Sequence, residues 1–301
     1  MRWRLSIVLL VLALVAVACG DDDTTTTTAA PATDAPATTA PAADACAIEN
    51  LELVQPGVLT VATGDPAFPP WVSGLDGANF DDPTSKTGFE AALVYALASE
   101  LGFSDDQVEW VRTGFDEAVA PGPKTFDFNL QQYSITAVRD EVVDFSDPYY
   151  VTRQSLVGLA DSAAIGAATL ADLADTRLGA QIGTTSLDFI ENVIQPSEQA
   201  SVYDTNVDAI AALVAGQIDA IVVDLPTAFF VIAVQIPEQG AEGQVIAQFE
   251  SPAQDPDEYG LLFADGNSLV SCVNDALNTL KSNGTLADLE AEWLTAGGQI
   301  A

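Results

Sequence analysis

The sequence has no histidine and only 9 Lys plus Arg against 44 Asp plus Glu, a formal net charge of −35 over 301 residues. The first absence removes every mechanism that needs an imidazole as general base, proton shuttle or metal ligand. The second removes nucleic acid as a partner, because gripping a phosphate backbone takes clustered Lys and Arg that this chain does not possess. Polybasic adhesion to anionic lipid fails for the same reason. Cysteine is scarce, with 3 in the chain, and nothing in the residue pattern calls for a cofactor or a metal. What the chain has in quantity is apolar side chain, 49% against 18% charged, enough for a sizeable core.

Part of that apolar content lies at the start. Residues 1–19 carry Arg2 and Arg4, run apolar from Leu5 to Ala18 and end at Cys19. A spanning helix needs about 20 apolar residues, so the segment reads as a cleaved signal peptide. Val15-Ala16-Val17-Ala18-Cys19 fits a bacterial lipobox, with Ala16 where leucine is usual, and makes Cys19 the lipid-modified first residue of the mature chain. The other reading is an ordinary secretory signal with an incidental cysteine. Residues 20–45 then change to Asp, Thr, Ala and Pro, a composition with little to bury that predicts a disordered tether. Cys46 and Cys272 remain as an even pair in an oxidising compartment. Bonded, they close most of the head into one loop, worth on the order of 5 kcal/mol, and hold its start against its C-terminal helices. Unbonded, they are two buried thiols.

The head, residues 46–301, is longer than one typical domain, and strands alternate with helices along it. Val58–Thr63 reads as a strand, and Thr87 opens a helix through a capping box with Glu90, its apolar face carried by Phe89, Leu93, Leu97 and Leu101. Val108–Arg112, Leu178–Ile182, Ser201–Tyr203, Ala220–Val223 and Tyr259–Phe263 read as strands; Ser186–Ile194, Val207–Ala215, a stretch from about Pro226, Ser268–Asn283 and Thr285–Leu294 read as helices. Such alternation predicts the α/β class.

Open α/β sheets collect ligands beyond the carboxyl ends of their strands. Asp224 directly follows one apolar run, placed either to pair with a ligand ammonium or to cap the helix at Pro226. Gly183-Thr184-Thr185-Ser186 follows another and suits a carboxylate, or is a plain helix start. Arg139, past the short strand-like Ser134-Ile135-Thr136, can grip a carboxylate in bidentate fashion or pair at the surface with Asp140 or Asp144. Phe68, Trp71 and Phe115 occupy loop-like settings that roof a pocket, although Trp71 fits a core equally well.

Taken in order, Gly64-Asp65-Pro66-Ala67-Phe68-Pro69-Pro70-Trp71, Gly88-Phe89-Glu90, Ser134-Ile135-Thr136 with Arg139, Val143 to Tyr150, Gly183-Thr184-Thr185, Ala215 to Asp224, Tyr259-Gly260 and Gly284-Thr285 through Trp293 resemble the amino-acid-binding solute-binding proteins, family 3. These are the extracytoplasmic receptors of ABC importers. The resemblance implies a type II periplasmic-binding-protein fold, with two lobes, each a mixed sheet flanked by helices, joined by a two-strand hinge. Lobe 1 is expected at 46–151 and 255–301, and lobe 2 at 152–254. It implies that Arg139 grips the ligand α-carboxylate with Thr185 and Ser134, and that Asp224 takes the ammonium with the carbonyl of Gln132. Phe68 and Phe115 would sandwich the ligand side chain, with Asp65 and Gln181 where specificity is set. A zwitterion leaving water needs both charges matched in this way.

The chain departs from the family pattern at Ala120 to Lys124, an insertion, and at Gln132, which replaces a small residue. Asp65 favours a cationic or amide side chain, while Lys86, Arg112 and Arg153 could serve an acidic one. The expected function is capture of a polar amino acid for a membrane permease, by a monomeric head lipid-anchored to the outer face of the cell membrane. Some relatives on this fold are cyclohexadienyl dehydratases. Such an enzyme would need a general acid or base, for which Asp65 and Glu90 are the candidates. A sensor head is the third reading, disfavoured by the lack of a second membrane segment.

Overall fold

In a computed structural model, residues 45–75, 78–248 and 256–295 are described. The signal segment, Cys19 and all but the last residue of the expected tether lie outside them. Strand β1 (Leu59–Thr63) enters the core with every residue buried, and helix α1 (Phe89–Glu100) packs beside it. Phe89, Leu93 and Leu97 are fully buried and Leu101 nearly so, as the apolar spacing requires. The capping box at Thr87 does not form. Pro70 and Trp71 satisfy the helix start instead, their carbonyls accepting from Phe89 N (2.8 Å) and Glu90 N (2.9 Å). That closeness demands Gly88, whose φ is +91° and whose Cβ, were there one, would stand 2.6 Å from Ser73 N. Relieved of capping, the Glu90 side chain turns inward.

Strand β2 (Val108–Arg112), helix α2 (Phe115–Val119), strand β3 (Phe128–Asn129) and strand β4 (Val143–Phe145) follow. Strand β5 (Tyr150–Thr152) leaves this region and leads to β6 (Gln154–Leu159), β7 (Leu178–Gln181), α3 (Thr185–Phe189), β8 (Ser201–Tyr203), α4 (Asn206–Val214), β9 (Ala220–Asp224), α5 (Leu225–Phe230), α6 (Ile236–Glu238) and β10 (Gly243–Gln248). The chain returns through β11 (Asp257–Tyr259), which pairs antiparallel with β5, and ends in β12 (Leu262–Ala264), α7 (Leu269–Asn283) and α8 (Thr285–Glu290). Tyr259–Phe263 is therefore not one strand. It breaks at Gly260-Leu261, Tyr259 closing the ribbon to β5 and Leu262 opening a strand of the first sheet. Ser134 likewise makes only a single bridge, to Tyr259, rather than lying in a strand. α3 stops at Phe189 and continues as a π-helical turn over Ile190–Ile194.

Two five-stranded mixed sheets result. The first has the order β2-β1-β3-β12-β4, with β2, β1 and β3 parallel and the other two antiparallel to their neighbours. The second has the order β10-β6-β9-β7-β8, with β9, β7 and β8 parallel and β6 antiparallel to both of its neighbours, β9 and β10. Each sheet thus carries three parallel strands ending on one side. Each lobe also keeps its own core. The first packs α1 and α7 with Trp71, Phe89, Phe128, Tyr149 and Phe263. The second has aliphatic clusters around Leu156, Ile190 and Val222 and around Ile210, Ile221 and Val231. Cys46 and Cys272 are joined by a disulfide across 226 residues of sequence, tying the start of the head to α7.

Candidate ligand-binding cleft

The strand ends of the two sheets face one another across a cavity of about 730 Å³, within the range usual for small-molecule sites. From the first lobe come the residues after β1 (Gly64 to Phe68), after β2 (Thr113 to Glu117) and after β3 (Gln131, Gln132). From the second come those after β7 (Thr184 to Ser186), β8 (Asp204 to Asp208) and β9 (Asp224, Thr227). This is the placement expected of open parallel strands. Asp65, Phe68, Phe115, Gln132, Ser134, Arg139, Gln181, Thr185 and Asp224, all picked out from sequence, line this one cavity.

Arg139 is not at the surface with Asp140 or Asp144. It is 7% exposed, its Nη1 donates to Ser134 O (2.7 Å), its Nη2 reaches across the cleft to Gly183 O (2.9 Å), and its guanidinium lies 5.3 Å from the Phe115 ring centroid. Burial lowers its pKa, opposed by Tyr133, Asp257 and Asp188. A guanidinium has more N–H groups than these two carbonyls use, so a bidentate grip on a carboxylate is still within its means. Ser134 Oγ and Thr185 Oγ1 are 3.2 Å apart, another bond between lobes.

Of the two roles open to Asp224, the structure shows the cap. Its Oδ1 accepts from Thr227 N (3.0 Å), capping α5, while the residue lines the cleft. Burial raises its carboxyl to about 6, with Asp257 adding repulsion and Thr227 and Tyr259 offsetting part of the rise. Gly183-Thr184-Thr185-Ser186 is a capped helix start, Thr184 accepting from Leu187 N (3.2 Å), and Thr184, Thr185 and Ser186 also line the cavity. Trp71 is core, 2% exposed among Phe89, Tyr150 and Tyr259, yet its Nε1 donates to Thr227 Oγ1 (3.2 Å) in the opposite lobe.

The two aromatic rings have separate settings. Phe68 packs between Phe80 and Phe230, at 6.0 and 5.9 Å, and Phe115 stacks on Tyr133 at 4.8 Å. Gln181 holds the start of α4, its Oε1 accepting from Asn206 N (3.0 Å). The other cations lie outside the cleft. Arg112 donates to Asp81 and to Gly64 O, stapling the Phe68 loop, and Lys86 pairs with Asp105 above the Tyr95 ring. Neither they nor Arg153 line the cavity, where the described residues include one cation, Arg139, and six carboxylates: Asp65, Asp116, Glu117, Asp204, Asp208 and Asp224.

Several contributors escaped the sequence reading. Asp116, Asp204 and Asp208 follow β2 and β8, where the strand-end rule applied evenly would have found them. Asp116 comes so close to Gly183 that a Cβ there would stand 2.6 Å from its Oδ1. Gln154 had no signal at all. It joins the ribbon to the cleft, its Nε2 donating to Asp257 (2.7 Å) and its Oε1 accepting from Ser186 Oγ (2.7 Å). Glu90 is absent from the cavity lining and sits behind the wall, 1% exposed, its carboxyl raised to about 7 by burial.

Residues 61–296 match the bacterial extracellular solute-binding proteins, family 3. The chain is 28% identical over 231 residues to the L-cystine-binding protein TcyJ of Escherichia coli (strain K12), a match covering 74% of this chain and 82% of that protein. Among solved structures it is similar to an ancestral arginine-binding protein bound to arginine, with a TM-score of 0.63 and 28% identity over 79% of this chain and 98% of the other. It is also similar to an ancestral amino acid-binding protein described as a precursor of cyclohexadienyl dehydratase, with a TM-score of 0.59 and 27% identity over 79% and 95% of the two chains.

Proposed function

The chain belongs to the bacterial extracellular solute-binding proteins, family 3, and from that premise we propose that it captures a free amino acid with a cationic side chain and delivers it to the permease of an ABC importer. The α-carboxylate is held by Arg139 with Ser134 and Thr185, and the ammonium by Asp224 with the carbonyl of Gln132. Phe68 and Phe115 flank the side chain, and Asp65 and Gln181 belong to the part of the cleft that reads it. The observation that carries the reading is the charge of the cavity, one guanidinium among six carboxylates. Arg139 meets the one negative group every amino acid carries, and the acidic remainder favours positive charge on the rest of the ligand. Relatives named for L-cystine and arginine are in keeping with a polar ligand.

Capture is by lobe closure, and the groups that span the cleft are the Arg139, Ser134 and Trp71 bonds to Gly183, Thr185 and Thr227. Lobe 1 then takes residues 46–151 and 255–301, lobe 2 residues 152–254. A lipid on Cys19 and a tether over 20–45 would keep this monomeric head beside its permease. Among the described residues no helix is long and apolar enough to cross a membrane.

Thermal unfolding in the presence of each common amino acid tests the reading. A ligand at 100 times its dissociation constant adds about 2.7 kcal/mol, a rise of roughly 5 to 10 °C for a chain of this size. Arginine and lysine are expected to produce it and glutamate is not, with the rise absent in Arg139→Ala. A response to glutamate instead would overturn the cationic assignment. Turnover of prephenate or arogenate would replace the receptor with a dehydratase of the kind to which one structural relative is described as a precursor.

A further inference from the structure

Gln132 lines the cleft with its backbone in the left-handed region, φ +52°, a conformation that a side chain other than glycine resists. What holds it there is Glu90. From the first turn of α1 this carboxylate accepts the Gln132 backbone N–H on Oε1 (2.9 Å) and the Gln132 side-chain Nε2–H on Oε2 (2.5 Å), while the Tyr149 hydroxyl also donates to Oε1. One carboxylate thus captures both donors of one residue and fixes its backbone and side chain together.

A carboxyl buried so deeply is costly, and its titratable neighbours Asp224, Tyr133 and Tyr149 offer it no positive charge. Glutamine or an apolar side chain in this place would avoid that cost. The carboxylate contributes something neither can: two acceptor oxygens set for the N–H and Nε2–H of the same residue.

We propose that Glu90 is a positioning residue for ligand capture, locking Gln132 in its left-handed conformation so that the wall opposite Asp224 is organised before the ammonium arrives. The proposal rests on the reading above, in which the Gln132 carbonyl meets the ligand ammonium. Preorganisation of this kind raises affinity by removing an ordering cost from the binding step.

Isothermal titration with L-arginine at pH 8 tests it on the wild type, Glu90→Gln, Gln132→Gly and the double variant. Glu90→Gln is expected to weaken binding about tenfold, in line with what outer-shell positioning groups contribute. Glycine adopts the left-handed conformation unaided, so in the Gln132→Gly background the same change is expected to cost less than about twofold. Equal losses in both backgrounds, or no loss in the first, would overturn the proposal. If Glu90→Gln does not fold, Gln132→Ala against Gln132→Gly takes its place. Alanine keeps the strain and loses the side-chain bond, so it must bind more weakly than glycine, and equal affinities would overturn the idea. A wild type that binds no amino acid fails the functional reading itself, a result distinct from a wild type that binds and a Glu90→Gln that binds equally well.

Discussion

The two lobes share a sheet plan, three adjacent parallel strands, then one reversed strand, then an outer strand antiparallel to that one, yet they finish their strand ends differently. In the second lobe each parallel strand passes into a helix whose first turn is capped by a side chain: Thr184 on α3, Thr205 on α4 and Asp224 on α5. In the first lobe the helices α1 and α2 start at Gly88 and Gly114, with no side-chain cap. The core shows the same contrast, rich in aromatic rings on one side and almost wholly aliphatic on the other. Lobe 1 therefore presents Phe68, Phe115, the buried Arg139 and the non-capping carboxylates Asp65, Asp116 and Glu117 to the cleft, while lobe 2 presents side chains that hold its own helices, Thr184, Thr205 and Asp224. The lesson is that in lobe 2 helix capping and cleft lining draw on the same side chains. In lobe 1 they are separated, so a substitution can strike one without the other.

That contrast can be broken most forcefully through the disulfide. Cys272→Ser is expected to lower stability on the order of 5 kcal/mol, a fall of about 10 °C or more. Calorimetry reads the fall, and hydrogen exchange should place the loss in β1 and α7 while β6 and β9 stay protected. Matched losses in both lobes would show that they unfold as one. Next comes Arg139→Ala, which removes the one cation that lines the cleft among the described residues and is expected to cost about 2 to 5 kcal/mol of ligand affinity by titration calorimetry. Asp224→Asn should also weaken the ligand by removing the charge for its ammonium, yet leave stability near that of the wild type, because asparagine still caps α5.

The pH response sharpens the comparison at the boundary between the lobes. Glu90 is raised from 4.5 to about 7 in the folded protein. The native state therefore holds more protons than the unfolded chain between those values, and stability falls as pH rises through that window, by on the order of 3 kcal/mol. Urea unfolding at pH 5 and pH 8 should show this slope flattened in Glu90→Gln. Asp224, raised from 3.8 to about 6, contributes a slope of the same sign that the variant retains, reduced by the loss of repulsion from Glu90. Ligand affinity should move the opposite way, weakening below about pH 6 as Asp224 loses its charge. The smallest effect expected is that of Thr205→Ala, about 1 kcal/mol from the loss of one cap, and it should be confined to lobe 2.

How far these features could be read in advance depended on whether the cause was local. β2 and β8 carried their own pattern, and β7 and α4 were misplaced only at their ends, because strand alternation and helix spacing are properties of neighbouring residues. Thr87 and Glu90 also carried a local signal, that of a capping box, and it was overridden by the carbonyls of Pro70 and Trp71 arriving from a distant turn. The break at Gly260-Leu261 is similar, since nothing in those residues tells which of two sheets each will join. That Asp224 and Thr185 line the cleft was legible from the strand-end rule, whereas Arg139 was placed after a strand at Ser134 that the fold reduces to a single bridge, and the family resemblance chose among its alternatives. Gln154 and the Glu90 clamp were not, because they depend on partners far away in sequence that only the fold brings near.

The disulfide also sets the covalent topology of the molecule. With Cys46 joined to Cys272, everything between them is a closed ring, and the whole second lobe is an arc of that ring entered by β5 and left by β11. A protease that cuts once anywhere on the arc opens the ring without dividing the molecule. The two pieces separate only when the sulfur bridge is reduced, so a head nicked in its second lobe still migrates as a single species until thiol is added.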